Sequence, residues 1–305
     1  MKSEVLGYVL LASVVIIWVA SGFFIQYLFK ASEFDHPVTM TVMSIGLCAL
    51  LLLLPTGQLE EKLLRSQPAW PHQSYLWLLG TVWLAAQLLY NTSLRYMSVS
   101  SNTAISCSSS IFTFLFSVKL LRGYSFTPTA VAALACCCTG ILVLSSSQLS
   151  VNGAKSNWLG FTMALVSCAC YGLFTTLLKR FSTVSKLSVT RMFGYFGVVA
   201  IAVGTPIIVA ADYVGFDSFA IPKSAVAIFG IVANALIGSV LSDILLAKAV
   251  LLLNPVTVSI GLSMSMPVSL MFDSVVVRSS CVAAIALQFA AVLLISLDNH
   301  QQGRL

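Results

Sequence analysis

A chain of 305 residues that is 58% hydrophobic and 9% charged is no soluble domain, since its surface would carry apolar patches prone to aggregate. The same balance describes a polytopic membrane protein. A net charge of +6 then carries no nucleic-acid signal, because basic residues beside apolar segments act as orientation signals.

In chain order, ten apolar segments read as spanning helices, at about 5–29, 37–56, 75–97, 99–121, 127–147, 157–179, 188–211, 223–247, 251–275 and 280–297. Each has the length a bilayer core demands. The first is too long for a signal-peptide core and is expected to stay as an anchor. Pro37, Pro128 and Pro222 suit helix starts, and Pro55 and Pro206 suit helix ends. The eight cysteines all fall inside apolar segments, as small packing residues do, and no His/Cys spacing suggests a metal site. No cofactor is called for.

An even number of spans puts both termini on one side of the membrane. On that side fall eleven lysines and arginines, Lys2, Lys62, Arg65, Lys119, Arg122, Lys179, Arg180, Lys186, Arg191, Lys248 and Arg304. The other side holds five, Lys30, Arg95, Lys155, Lys223 and Arg278. The excess predicts cytosolic termini.

The second half echoes the first at an offset of about 151–154 residues. Val38-Thr39, Gly46 and Pro55 match Val189-Thr190, Gly197 and Pro206; Arg95 matches Lys248. Thr103 matches Thr257, Ser109 matches Ser263, and Gly7 and Trp18 match Gly160 and Tyr171. Five spans per half is an odd number, so two such halves, 1–150 and 151–305, must insert upside down to each other. The expected fold is therefore all-α, ten transmembrane helices in two inverted five-helix repeats, an arrangement that places a site where the repeats meet.

Polar residues inside the segments mark candidate sites, since polar groups at membrane depth need a partner or a cavity. Gln87, Asn91 and Arg95 share one face of the third helix at i, i+4, i+8: a polar wall, or interhelical glue. Half of the residues from Ser98 to Ser117 carry a hydroxyl and none but Asn102 is otherwise polar, apart from Cys107. The end near Asn102 and Ser106 is expected beside a solute path, and the far end in helix packing. Ser167, Tyr171, Thr175 and Lys179 form a face of the sixth helix, and Trp18 with Tyr171 either flanks a ring-bearing solute or fills core space. Arg95 and Lys248 either meet an anionic solute from opposite sides or snorkel to the headgroups. Ser239 and Asp243 lie at i, i+4 in the eighth helix, where Asp243 can exchange a proton, bind a cation or pair at the rim. Lys248 sits about 140° around the helix from Asp243, a poor angle for that pairing. Pro267 should bend or weaken the ninth helix, with Ser263 and Ser265 near the freed carbonyl.

Ten helices, an inverted repeat and very short loops resemble the drug/metabolite transporter superfamily, whose repeat is the EamA-type domain. Tyr96 to Thr113 is similar to the serine-rich fourth helix of the F branch of the solute-carrier-35 group, and Ser259 to Asp273 to its ninth helix, with a leucine-serine, a proline and a following acidic residue. The glycine-alanine-leucine-asparagine-lysine string of one nucleotide-sugar branch is absent. The resemblance does not imply a substrate, since relatives span nucleotide-linked, vitamin-like and other metabolites; it implies a secondary transporter of a small organic solute or metabolite in an endomembrane or the plasma membrane. It would work by alternating access, with Trp18, Gln87, Asn91, Arg95, Asn102, Ser106, Tyr171, Asp243, Lys248 and Ser263 as the expected substrate-binding set. Its partners would be that solute and the lipid bilayer, with no nucleic acid; a homodimer is left open. The alternative is a non-transporting scaffold or regulator of the same fold. An intramembrane enzyme is disfavoured, because the spans hold no paired aspartates, His-Glu-x-x-His helix or nucleophile elbow.

Overall fold

The computed structural model describes residues 2–32, 36–54, 69–96, 102, 105–122, 124–152, 158–184, 187–217, 219, 225–265, 267–268 and 279–301. Ser98 to Ser101, Thr103, Pro55, Pro222 and Asp273 lie outside the described residues, so expectations resting on them have no counterpart here. The described residues form an all-helical protein. Its helices are α1 (Lys2–Ser32), α2 (Pro37–Gly46), α3 (Ala69–Ser93), α4 (Ser109–Leu120), α5 (Pro128–Asn152), α6 (Trp158–Val184), α7 (Val189–Tyr213), α8 (Ala225–Asn234), α9 (Ser242–Leu252), α10 (Pro255–Leu262) and α11 (Ser279–Gln301). Among the described residues, four stretches, Glu4–Phe24, Trp158–Ser182, Val189–Tyr213 and Ile228–Leu252, are long and apolar enough to cross a membrane. With them, the chain is an integral membrane protein.

Local chemistry sets the helix starts. Pro37 opens α2, where a missing N–H costs nothing. Ser188 accepts from the Arg191 N–H to cap α7. Asn254 caps α10 from an extended backbone, its Oδ1 accepting from the Thr257 N–H at 2.8 Å and from Thr257 Oγ1 at 2.9 Å. The Asn254→Ala variant is therefore expected to lose about 1 kcal/mol of stability, read as a lower apparent Tm in detergent.

Regular helix gives way in several places where the sequence predicts unbroken spans. After Gly46 the second segment tightens into a 3-10 helix, Leu47–Leu53, packed against α7. This narrower coil lets the two backbones come close at Gly197, where an added Cβ would collide with the Ala49 nitrogen. Before α4, the bonds Ser108 N to Ile105 O (2.8 Å) and Ile111 N to Ser108 O (3.0 Å) are also of the tight kind, and the Ser110 hydroxyl takes the Cys107 carbonyl at 3.0 Å. Between α8 and α9 lies a π-helical turn, Ala235–Leu241. Past Leu262 the ninth segment breaks into a turn at Ser263–Met264, the weakening expected one turn before Pro267, whose missing N–H leaves the Ser263 carbonyl without its helical partner. Cys107 Sγ approaches that carbonyl at 4.0 Å.

Pro206 does not end its helix. It sits inside α7, which runs on to Tyr213. Membrane helices tolerate such prolines when nearby hydroxyls support the turn, and Thr205 Oγ1 donates to the Ile201 carbonyl at 2.6 Å.

The core has two parts. In the larger, Trp83 of α3 meets Phe174 of α6 and Phe193 and Phe196 of α7, with ring centroids 5.2–6.1 Å apart. In the smaller, α5 packs along α11. There Gln288 Nε2 donates to the Cys137 carbonyl at 3.2 Å, while its Oε1 accepts from the Ser263 hydroxyl. Thr127 Oγ1 donates to Asp298 at 2.5 Å. The seven cysteines whose side chains are described are free thiols, four of them buried.

Candidate functional site

The interrupted helices converge on one cavity of about 250 Å³. Its walls come from α1, α2, α3 and the turn before α4, and from α6, the π-helical turn, α9 and α10 with the turn that follows it. Three of the irregular stretches border it: Ser106 and Cys107 before α4, Gly238 and Ser239 in the π turn, and Ser263 and Ser265 after α10. Irregular backbone at membrane depth is tolerated where it lines a cavity, and π turns concentrate at functional sites.

Of the residues expected at a site, Trp18, Gln87, Asn91, Ser106, Tyr171, Asp243 and Ser263 line this cavity. Most of its polar groups are tied to one another. Asn91 Nδ2 donates to Thr41 Oγ1 at 2.8 Å, and Trp18 Nε1 donates to Ser242 Oγ at 3.0 Å. Ser21 Oγ donates to Asn234 Oδ1 at 2.7 Å, and Ser167 Oγ to the Ala86 carbonyl at 2.7 Å. Two groups differ. Asp243 is 2% exposed and its Oδ2 has no hydrogen-bond partner; the buried Tyr171 hydroxyl has none either. Trp18 stands edge-on to Tyr171, with centroids 6.5 Å apart.

The other three expected residues stand elsewhere. Asn102 is fully buried behind the wall: its Oδ1 accepts from Ser93 Oγ at 3.0 Å, and its carbonyl accepts from Ser106 Oγ at 2.8 Å, joining the end of α3 to the start of α4. Arg95, just past α3, donates to the Phe216 carbonyl at 2.6 Å and approaches Asp217 at 3.8 Å. Lys248 is exposed on α9. The hydroxyl face of the fourth segment divides. Ser106 and Ser109 border the cavity, while Thr113 pairs with Ser259 at 2.9 Å and Ser117 with Thr176 at 3.4 Å. On α6, Tyr171 lines the cavity but Thr175 is packed away, and Lys179 Nζ donates to the Leu251 carbonyl at 2.6 Å.

Sequence reasoning missed Asn234, although it interrupts an apolar run as Asn91 does, and it missed Gly238 beside it. At Gly238 a Cβ would meet Ser21 Oγ and Asn234 Oδ1, so this crossing of α1 and the π turn admits only glycine without a shift. It also missed Asp217. This carboxylate, with a side chain 1% exposed, accepts from the Val38 N–H at 2.7 Å and from His36 Nδ1 at 2.8 Å, and so ties the end of α7 to the start of α2.

Residues 5–146 match the EamA-like transporter family. That stretch, just under half of the chain, is an EamA-type domain. The chain is 27% identical to an uncharacterized vacuolar membrane protein of Saccharomyces cerevisiae, YML018C, over 96% of this chain and 89% of that one. It is also 27% identical to the thiamine-repressible mitochondrial transport protein THI74 of the same yeast, over 89% of this chain and 85% of that one. Solute carrier family 35 member F5 of Macaca fascicularis matches at 27% over 63% of this chain, which spans 45% of that relative's length. A crystal structure superimposes on 98% of this chain and 98% of its own, with a TM-score of 0.68 at 14% identity, and so shares the fold alone. The chain thus resembles the drug/metabolite transporters and the F branch of the solute-carrier-35 group, whose members are transporters and not enzymes.

Proposed function

We propose that the chain is a secondary transporter that moves a small organic solute through this cavity by alternating access. In this reading ten spanning helices form two inverted repeats, 1–150 and 151–305, with both termini cytosolic, in an endomembrane or the plasma membrane. The observation that carries it is a cavity built from both halves whose neighbours pair in a twofold pattern. The first helix packs on the eighth segment as the sixth packs on the third, and the ninth packs on the first as the fourth packs on the sixth. Gly7 and Gly160 make the same close approach in the two halves. A Cβ on Gly7 would meet Leu253 just past α9, and one on Gly160 would meet Tyr96 just past α3. Asn102 and Asn254 open equivalent segments, and the fourth and ninth segments both lose regular helix beside the cavity. Such a site between inverted repeats suits rocking of one half against the other. On the side of Gly7, Leu253 and the bond from Lys179 to Leu251 the bundle is tightly packed, which fits a state closed toward the termini.

The test is uptake of radiolabelled metabolites into proteoliposomes, screened as a panel. Ser44 lines the cavity, so Ser44→Trp should fill it and abolish saturable uptake. Leu142 is 68% exposed, so Leu142→Trp should leave uptake unchanged. Equal saturable uptake by both variants would move the solute path out of this cavity, and no saturable uptake by the unmodified chain would favour the scaffold reading instead.

A further inference from the structure

We propose that the solute is an organic cation whose charged nitrogen sits on the Asp243 carboxylate, an assignment that rests on the transport site described above. Charge selects this class. Among the described residues that line the cavity, Asp243 is the single acidic side chain, and none is a lysine, arginine or histidine. The basic groups nearest in sequence to the walls are held elsewhere: Arg95 by Phe216 and Asp217, Lys179 by the Leu251 carbonyl, and Lys248 on the exposed face of α9. An anion in this cavity would meet a carboxylate and no counter-charge. A cation would meet the carboxylate that the protein leaves uncompensated, and a buried charge gains most from the one partner it lacks.

The surroundings add shape to that charge. Asp243 Oδ2 is buried without a hydrogen-bond partner, and the Tyr171 hydroxyl, within electrostatic reach of Asp243, is a second unused group. Together they offer one acceptor and one donor, which a cationic nitrogen and a neutral oxygen or ring nitrogen on the same solute would satisfy. The Trp18 and Tyr171 rings stand beside them, and an aromatic face adds attraction for a cation held nearby. Trp18 keeps its orientation through the bond to Ser242, the residue next to Asp243, so ring and carboxylate are set by one turn of α9. Gln87, also in the cavity wall, is polar and uncharged, and suits the neutral end of such a solute.

The experiment measures binding to the purified full chain in detergent, by scintillation proximity. The probes are 1-methyl-4-phenylpyridinium, tetraethylammonium and choline, with uncharged 4-phenylpyridine as the isostere of the first. At least one cation should bind saturably, and 1-methyl-4-phenylpyridinium should bind at least tenfold more tightly than 4-phenylpyridine. Asp243→Asn keeps the side-chain shape and should weaken the cation about 30-fold or more, the usual cost of removing one partner of a buried charge pair, while 4-phenylpyridine is unaffected. Binding of no cation, equal binding of charged and neutral probes, or a cation affinity unchanged in Asp243→Asn would each overturn the proposal; a carboxylate that only carries protons would give the last result. Uptake of the bound cation into proteoliposomes tests the transport reading separately. Tight binding that depends on Asp243, with no movement across the membrane, would keep the cation site and remove the transporter.

Discussion

Replacing Trp83 with alanine should destabilise the protein by about 3 kcal/mol, the largest loss expected from any one core position. Trp83 is 1% exposed and touches three phenylalanines from two other helices. Each aromatic pair adds about 0.5–1.5 kcal/mol beyond simple burial. The figure stays at the lower end for large-to-alanine changes because helices in lipid or detergent associate through packing, without transfer of apolar surface from water. Unfolding in mixed micelles, followed by tryptophan fluorescence with the remaining four tryptophans as probes, measures it directly. Trp83→Phe should lose less than half as much. If the two variants are equally destabilised, the ring contacts contribute little and the indole acts only by filling space.

The second large effect is expected at Asp217. Its carboxylate is shared by the His36 ring, the Val38 N–H and Arg95, which reach it from the α1–α2 connection and the end of α3. Removing one partner of a buried charged cluster costs about 3 kcal/mol or more. Asp217→Ala should therefore lower the apparent Tm, and hydrogen exchange should rise at the start of α2 and the end of α7. Asp217→Asn keeps an acceptor for the Val38 N–H and should recover part of the loss. Pro37 and Thr41 belong both to the tethered start of α2 and to the cavity wall, so solute affinity is expected to fall along with stability.

How much of this was legible beforehand depends on the kind of interaction. The apolar segments could be read because lipid gives the chain little choice: a polar stretch cannot cross it. The Gln87–Asn91 wall and the Ser239–Asp243 pair could be read because helical spacing puts such residues on one face, and all four line the cavity. The same spacing carried on to Arg95 and failed there, since the helix ends at Ser93 and Arg95 turns toward the end of α7. Asp217 was invisible because its partners lie far off in sequence, and nothing local to it announces them. The π turn and the 3-10 stretch had no local sign either. Both fall in apolar runs where hydropathy is the same whatever the coil, and what selects the coil is the approach of another helix. Asn234 and Gln288 were different. Each breaks an apolar run, so the signal that picked out Asn91 was present and went unused.

The pairing of α5 with α11 has a consequence for how the protein is made. Cys137 waits for Gln288 across 151 residues of chain, and Thr127 for Asp298 across 171. Until α11 leaves the ribosome, α5 holds its place in the bilayer without the helix it packs against most closely. Its small residues, and the Thr127 hydroxyl just before it, are then without their α11 partners through most of synthesis. Long-range closure of this kind is slow and exposes unpaired surface while it is awaited. Quality control should therefore act on this protein late, at the arrival of α11, and substitutions at Gln288 should lower its cellular abundance more than the loss of two hydrogen bonds in the finished fold would suggest.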